Sequence, residues 1–415
     1  MVQNKILKLA TNYYLKSDDF NGLPIRELGL SIQQCKSKVA KLIKAEKLTI
    51  NFDDNPHIKA FEPETIKDQL RKIRSKDIMQ ACIYPSKKYL IQVVDPAAYA
   101  GRPFTLKLAL GEPQLTFYSF GLNVLGGYRD EAKYFYENDD VAGKIITMQK
   151  SDLSKEKADS DLVLLESFGF SYDSNMNRAI AVFLRYLKHL SPKHQQIWDA
   201  YMLKNIHILH PDYLKITIGD WNIGMSIFSA FLLEQHHINE ICKLIDRCPI
   251  FKKEYYGEKK PEDFTFLIRP TLKEYNSFLH LLDKLISENI NLEFFKNEVS
   301  LEIERQRSDG KIEVTHKGTI TVLEEWLKKN RDKFSNTTLE DKMINTFRKI
   351  RKLRTNPAHV IDKNELNQEY FHLQRKLMIK AYEAMRTLRT ILHSNTKIKS
   401  YTLPDELLSG NIWTF

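Results

Sequence analysis

FRKIRKLRTNPAHVIDKNEL, residues 347–366, places five cations between Arg348 and Arg354 and one histidine, His359, five positions past the last arginine. On an unbroken helix, five residues at ~100° each would set Arg354 and His359 about 140° apart. Pro357 prevents that helix: it has no N–H, its ring clashes with the Leu353 carbonyl, and it pushes Asn356 out of the α region. The chain is therefore expected to kink or break between Arg354 and His359. A break could bring both side chains into one cleft, or TNP could be a plain helix stop with Arg354 capping carbonyls and His359 exposed. The pair suits phosphate chemistry. Arginine offers a planar fork of donors that matches phosphate oxygens, and histidine titrates near neutrality.

The surroundings of this stretch read as helical. TLKEYNSFLHLLDKLISEN (271–289), KGTITVLEEWLKKNR and TTLEDKMINTFRKIRKLR each carry apolar residues at helical spacing. The last helix, NELNQEYFHLQRKLMIKAYEAMRTLRTILH, is expected to run about 30 residues, or ~45 Å. Leu366, Tyr370, Leu373, Leu377, Ala381, Ala384, Leu388 and Ile391 form a stripe along it. That stripe suits a bundle core, with room for a dimer seam.

RTNPAH inside a basic helical bundle resembles the R-x4-6-H signature of the HEPN superfamily, whose members include RNases of toxin–antitoxin and abortive-infection systems. The resemblance covers about 130 residues. It implies a helical bundle over 271–400, metal-independent RNA cleavage by the substrate's own 2′-OH, and pairing of two domains face to face. Arg354 and His359 would be the catalytic pair. In the family, Asn, Asp or His usually follows the arginine; here Thr355 does, with Asn356 next. Either Thr355 supplies the polar contact, or Asn356 does, or the domain binds without cleaving. One histidine per chain also suits a homodimer, because cleavage is served best by a base and an acid. Arg351 and Arg348, about one and two turns back, together with Lys352, would hold flanking phosphates.

Residues 1–62 read as a small module. Ile6, Leu9, Ala10 and Tyr13 mark one helix face; LPIRELG is a short helix; SIQQCKSKVAKLIKAEK starts at Ser31 as N-cap. Ile32, Cys35, Val39, Leu42 and Ile43 share one arc, and Lys36, Lys38, Lys41, Lys44 and Lys47 lie outside it. LTINF and HIKAF flank an Asp-Asn-Pro turn, as a β-ribbon would. Three helices and a ribbon resemble a winged helix-turn-helix. That implies duplex DNA or RNA binding through Lys36, Lys38, Lys41 and Lys44, or else a surface for protein contacts. With lysines and no arginine on this helix, phosphate contact is favoured over base readout.

Residues 63–78 read as a charged helical linker. Residues 79–175 read as an α/β middle domain, with YLIQVV, PFTLKLAL, QLTFYSF and GKIITM as β-rich runs bounded by DP, GRP and GEP turns. Residues 176–270 read as helical, with Ser191 and Pro192 opening one helix, and 401–415 as a tail. The expected fold is thus mainly α with a smaller β-containing middle region.

Charge agrees with a polyanion partner. The chain of 415 residues carries a net +10. Residues 338–400 hold 14 Lys+Arg against 6 Asp+Glu, and residues 1–80 hold 15 against 10. Two basic ends thus flank a slightly acidic middle. No apolar run reaches the ~18 residues of a membrane span, and no signal peptide is legible, so a cytoplasmic location without membrane contact is expected. Cys35, Cys82, Cys242 and Cys248 form no CxxC pair and read as reduced thiols. Neither HILH (207–210) nor HHINE (236–240) matches a metal motif such as HExxH, and no phosphate loop, GxGxxG, or Gly-x-Ser-x-Gly elbow occurs. No metal or cofactor is expected. The functional expectation is an RNA-cleaving dimer, a toxin or anti-phage defence effector. The alternative is a non-catalytic nucleic-acid-binding regulator that dimerises through its helical C-terminus.

Overall fold

The computed structural model describes residues 2–59, 64–148, 162–221, 223–330, 337–355, 364–393, 401–408 and 410–415. About 51% of residues are helical and 16% are in strands, so the chain is mixed and helix-rich. It divides into two compact units, Met1–Tyr213 and Leu214–Phe415. Among the described residues no helix is long and apolar enough to cross a membrane.

In the first unit, helix α1 (Val2–Lys16) and helix α2 (Ile32–Lys44) flank a short 3-10 turn at Ile25–Leu28. Ser31 caps α2, as the sequence indicates, and the structure adds a capping box with Gln34. Cys35, Val39, Leu42 and Ile43 are buried, but Ile32, placed on the same arc, is 53% exposed because it sits in the first turn. The core of this module also takes Ile6, Ala10, Leu23, Ile25 and Leu48.

Two expectations for this region change. Strand β2 (Leu48–Asn51), within LTINF, does not pair with the described part of HIKAF, and a further short strand, β1 (Leu23–Pro24), precedes it. Their shared partner is β3 (Cys82–Pro85), in the order β1-β3-β2, with Ile50 opposite Ile83. His57–Lys59 instead lies in a turn region, and the Lys59 N–H donates to Gln114 Oε1 at 2.9 Å. The rest of HIKAF, Ala60 and Phe61, is outside the described residues. The segment read as a linker contains helix α3 (Ile66–Ser75), whose Ile73 is buried in the same core. It is part of the module, not a spacer.

Beyond β3, YLIQVV and PFTLKLAL are helices rather than strands: α4 (Lys87–Val93) and α5 (Pro103–Ala109). Ser86 accepts the Tyr89 N–H at 3.1 Å, and Pro103 sits at the first position of α5. These start signals outweigh a period that six to eight apolar residues cannot show. QLTFYSF and GKIITM do hold strands, β4 (Phe117–Phe120) and β6 (Ala142–Thr147). With β5 (Tyr134–Asn138), β7 (Leu164–Tyr172) and β8 (Arg178–Phe183) they form an antiparallel sheet ordered β4-β8-β7-β6-β5, and β9 (Ile208–Leu209) pairs with β7. Strand β8 falls where the chain reads as already helical. Every residue of RAIAVF is buried, so it lacks the alternation that marks a half-exposed strand. Helix α6 (Pro192–Ala200) follows and buries Trp198.

Gly169 in β7 fixes how closely Tyr213 can approach the sheet. A Cβ there would lie 2.2 Å from Tyr213 Cγ, and the Tyr213 ring stacks on Phe183 at 5.1 Å. Gly169→Ala is expected to cost about 1–3 kcal/mol by overpacking. Chemical denaturation of the variant would show this as a lower midpoint; an unchanged midpoint would mean the ring has room to move.

The second unit opens with β10 (Met225–Ser226) and the buried helix α7 (Ile227–Leu244). Thr271 accepts the Glu274 N–H and caps α8 (Leu272–Asp283), which runs on as a π-helical turn at Lys284–Glu288. A hairpin, β11 (Glu302–Gln306) and β12 (Ile312–His316), interrupts the region read as all-helical. Asp309 and Gly310, the latter at φ +80°, supply its turn, a signal present in the sequence. Then come α9 (Thr319–Lys329), α10 (Thr337–Thr355) and α11 (Gln368–His393). Strand β13 (Ile412–Trp413) pairs in parallel with β10, so the segment read as a tail carries a strand of this unit.

Helix α11 packs against α7 and α10. Leu377, Ala381, Ala384, Leu388 and Ile391 of its stripe are buried in this packing, while Leu366 and Leu373 are exposed. The buried part of the stripe is consumed inside the unit.

Candidate nucleic-acid site

Helix α10 presents Arg348, Arg351 and Arg354 at intervals of three residues, so they follow one side of the helix. Arg354 Nη1 donates to Asp283 Oδ2 at 2.6 Å and also to Glu288. In an α-helix Asp283 and Glu288 would diverge by about 140°. The π-helical turn pairs residues five apart instead, and so brings both carboxylates to one guanidinium. These two hydrogen bonds, the one to Asp283 foremost, raise the Arg354 pKa above its ordinary value. The bond from Arg354 in turn holds Glu288 below the usual carboxylate range.

The network extends through Ser287, which is buried. Its hydroxyl donates to Asp283, and Arg351 Nη1 donates to Ser287 Oγ at 2.9 Å. Thr319 Oγ1 donates to the Ser287 carbonyl at 2.7 Å, which ties the start of α9 to the π turn. Arg348 pairs with Glu324. Thr355 Oγ1 donates to the Lys352 carbonyl of its own helix at 2.8 Å.

Beside this network lies a cavity of about 370 Å³. Gly318, Thr319, Ile320 and Thr321 form one wall, and Arg348, Arg351, Lys352 and Thr355 the other. The α9 N-terminus has no side-chain cap, and its first residues line the same space as the three cations. This arrangement favours an anion the size of a phosphate diester.

Of the residues expected at the site, Arg348, Arg351, Lys352 and Thr355 line the cavity, and Arg354 joins the adjoining network. Asn356 and His359 lie outside the described residues. Asp283, Ser287 and Glu288 were not singled out in the sequence. A carboxylate pair five apart on an apparent helix carries no signal unless the π turn is known. In the first unit, Lys41 and Lys44 are exposed, Lys38 is half-buried, and Lys36 Nζ donates to the Arg74 carbonyl at 3.3 Å. Three of the cysteines are buried and Cys248 is exposed, all as free thiols. No family model, curated protein or solved structure matches the chain.

Proposed function

We propose that the second unit is a metal-independent endoribonuclease of HEPN type, acting as a dimer in a toxin or anti-phage defence role. The observation that carries the reading is the basic cavity of Arg348, Arg351 and Lys352 at the α9 N-terminus, on the helix that leads into Arg354 and the RTNPAH motif. The cavity would hold a phosphate flanking the scissile one. Both contacts of Arg354 use Nη1, which leaves Nε and Nη2 to donate to a phosphorane oxygen. His359 would move the proton between the 2′-OH and the leaving 5′ oxygen, giving a 2′,3′-cyclic phosphate and a 5′-OH. RNA cleavage that persists in EDTA and disappears with His359→Ala supports the reading. A purified, folded protein that leaves RNA intact overturns it.

A second reading is a non-catalytic nucleic-acid-binding regulator. It is favoured by the two carboxylates on Arg354, which already satisfy the charge a phosphate would meet. It also draws on the lysines of α2. Under either reading, Lys38→Ala, Lys41→Ala and Lys44→Ala together should lower duplex affinity and flatten its dependence on salt. Each lost phosphate contact reduces the log–log slope by about 0.9 on duplex DNA. Binding isotherms between 50 and 200 mM salt, the range in which such contacts are felt, would test this. An unchanged slope would remove α2 from the interface.

A further inference from the structure

We propose that His236, Glu240 and Glu254 form a binding site for a divalent transition-metal cation of the zinc class. His236 and Glu240 are four residues apart on α7, so they share a face one turn apart. Glu254 arrives from the loop after the helix. One ligand atom from each residue lies within 4.8 Å of the others. His236 Nδ1 and Glu254 Oε2 are 3.2 Å apart. Two ligands at about 2.0–2.1 Å from a tetrahedral ion stand roughly 3.3 Å from each other, so this pair already has the spacing of a coordinated edge.

The framework around these groups is built. Asn239, fully buried on the same helix, accepts the Phe251 N–H at 3.0 Å and donates to the Phe251 carbonyl at 3.0 Å. The same amide donates to Glu254 Oε1 at 3.3 Å, which turns Oε2 toward His236. Asn289 clamps the next residue back from both sides, accepting the Lys253 N–H and donating to the Lys253 carbonyl, each at 2.9 Å. The Tyr256 ring stacks on His236 with an interplanar angle of 19°, fixing the imidazole plane. Orientation of ligands by such outer partners is what a metal centre needs.

Lys243 marks the same place as cation-seeking. Its ammonium donates to Glu240 Oε1 at 2.6 Å, so a positive charge already sits beside this carboxylate. The Lys243 side chain is half exposed and can swing aside for an ion. The three ligands are each about one-third exposed, which gives an ion access. A nitrogen ligand argues against magnesium and calcium, which take oxygen. Three protein ligands leave one position of a tetrahedron for water. The site shares no residue with the Arg354 network, so it goes beyond the proposed function and stands or falls separately.

The test uses the full chain, stripped with a chelator and titrated with zinc against a chromophoric competitor, with the melting temperature followed in parallel. The expected result is one zinc per chain and a higher melting temperature, with no comparable response to magnesium. His236→Ala and Glu254→Gln should each weaken binding by more than about 100-fold, the upper range for loss of a mere orienting partner. Glu240→Gln, isosteric and about one-third exposed, guards against misfolding and should also weaken binding. Lys243→Ala, which removes the competing ammonium, should tighten it. Zinc binding unchanged in Glu240→Gln and in a folded His236→Ala/Glu254→Gln double variant overturns the proposal, as the ion would then sit elsewhere, for instance at Cys248. No binding by the folded wild-type chain, or equal binding of magnesium, overturns it as well.

Discussion

Arg389→Leu is expected to destabilise the second unit by about 3–5 kcal/mol, the usual result of stripping one partner from a buried ion pair. Arg389 Nε donates to Glu234, and the two side chains are 7% and 0% exposed. The pair joins α11 to α7, the contact that consumes the apolar stripe. For a unit of this size the loss corresponds to a melting temperature lower by roughly 6–20 °C. Glu234→Leu/Arg389→Leu should recover most of it, because no charge then stays buried unpaired.

The pH dependence of that variant follows from Glu234. Burial raises its pKa above the ordinary value, and the Arg389 hydrogen bond and charge pull against that rise. A carboxylate with a raised folded pKa binds its proton more tightly folded than unfolded. Its favourable contribution is present below the unfolded pKa and is lost as pH rises through the folded one. Arg389→Leu removes the opposing pull, so the Glu234 pKa climbs further. The penalty of the variant should therefore be largest at neutral and alkaline pH and shrink as pH falls toward the carboxylate range. Thermal melts of both chains across that range would show the two curves converging in acid. Parallel curves would mean that Glu234 is not the group left stranded.

His359→Ala should lower RNA cleavage by about 10²–10⁴-fold, the usual cost of losing a general acid–base. Arg354→Lys should lower it by about 10²–10³-fold, since a point charge does not reproduce a preorganised fork. In a solvent-lined cleft, one of the two arrangements the sequence leaves open, Arg354 could be changed without harm to the fold. Arg354 pairs with Asp283, whose side chain is 1% exposed, so Arg354→Ala should also cost about 1–3 kcal/mol. Asp283→Asn added to Arg354→Ala removes the stranded charge. It should restore much of the stability while leaving cleavage low. If cleavage instead returns with stability, Arg354 is a structural residue and the catalytic assignment fails.

The sequence by itself determined the elements whose signals are local. Ser31 caps α2, the apolar spacing over 271–289 marks α8, and the stripe of α11 marks a core-facing helix. A cap and a 3.6-residue period act within one turn and need no distant partner. The basic run Arg348–Arg354 was legible for the same reason. Only the tertiary structure decided the rest. Whether YLIQVV and PFTLKLAL were strands or helices was open locally, because so short an apolar run fits either period. Strand β2 could not show that its partner lay beyond α3, at Cys82–Pro85, rather than across the nearest turn. The π turn of Lys284–Glu288 turned two carboxylates toward Arg354, 71 residues on from Asp283. Glu254 reached His236 by a loop that Asn239 and Asn289 hold in place. Such pairings depend on which groups folding brings within about 3 Å, and a hydrogen bond or ion pair between distant residues leaves no period in the sequence.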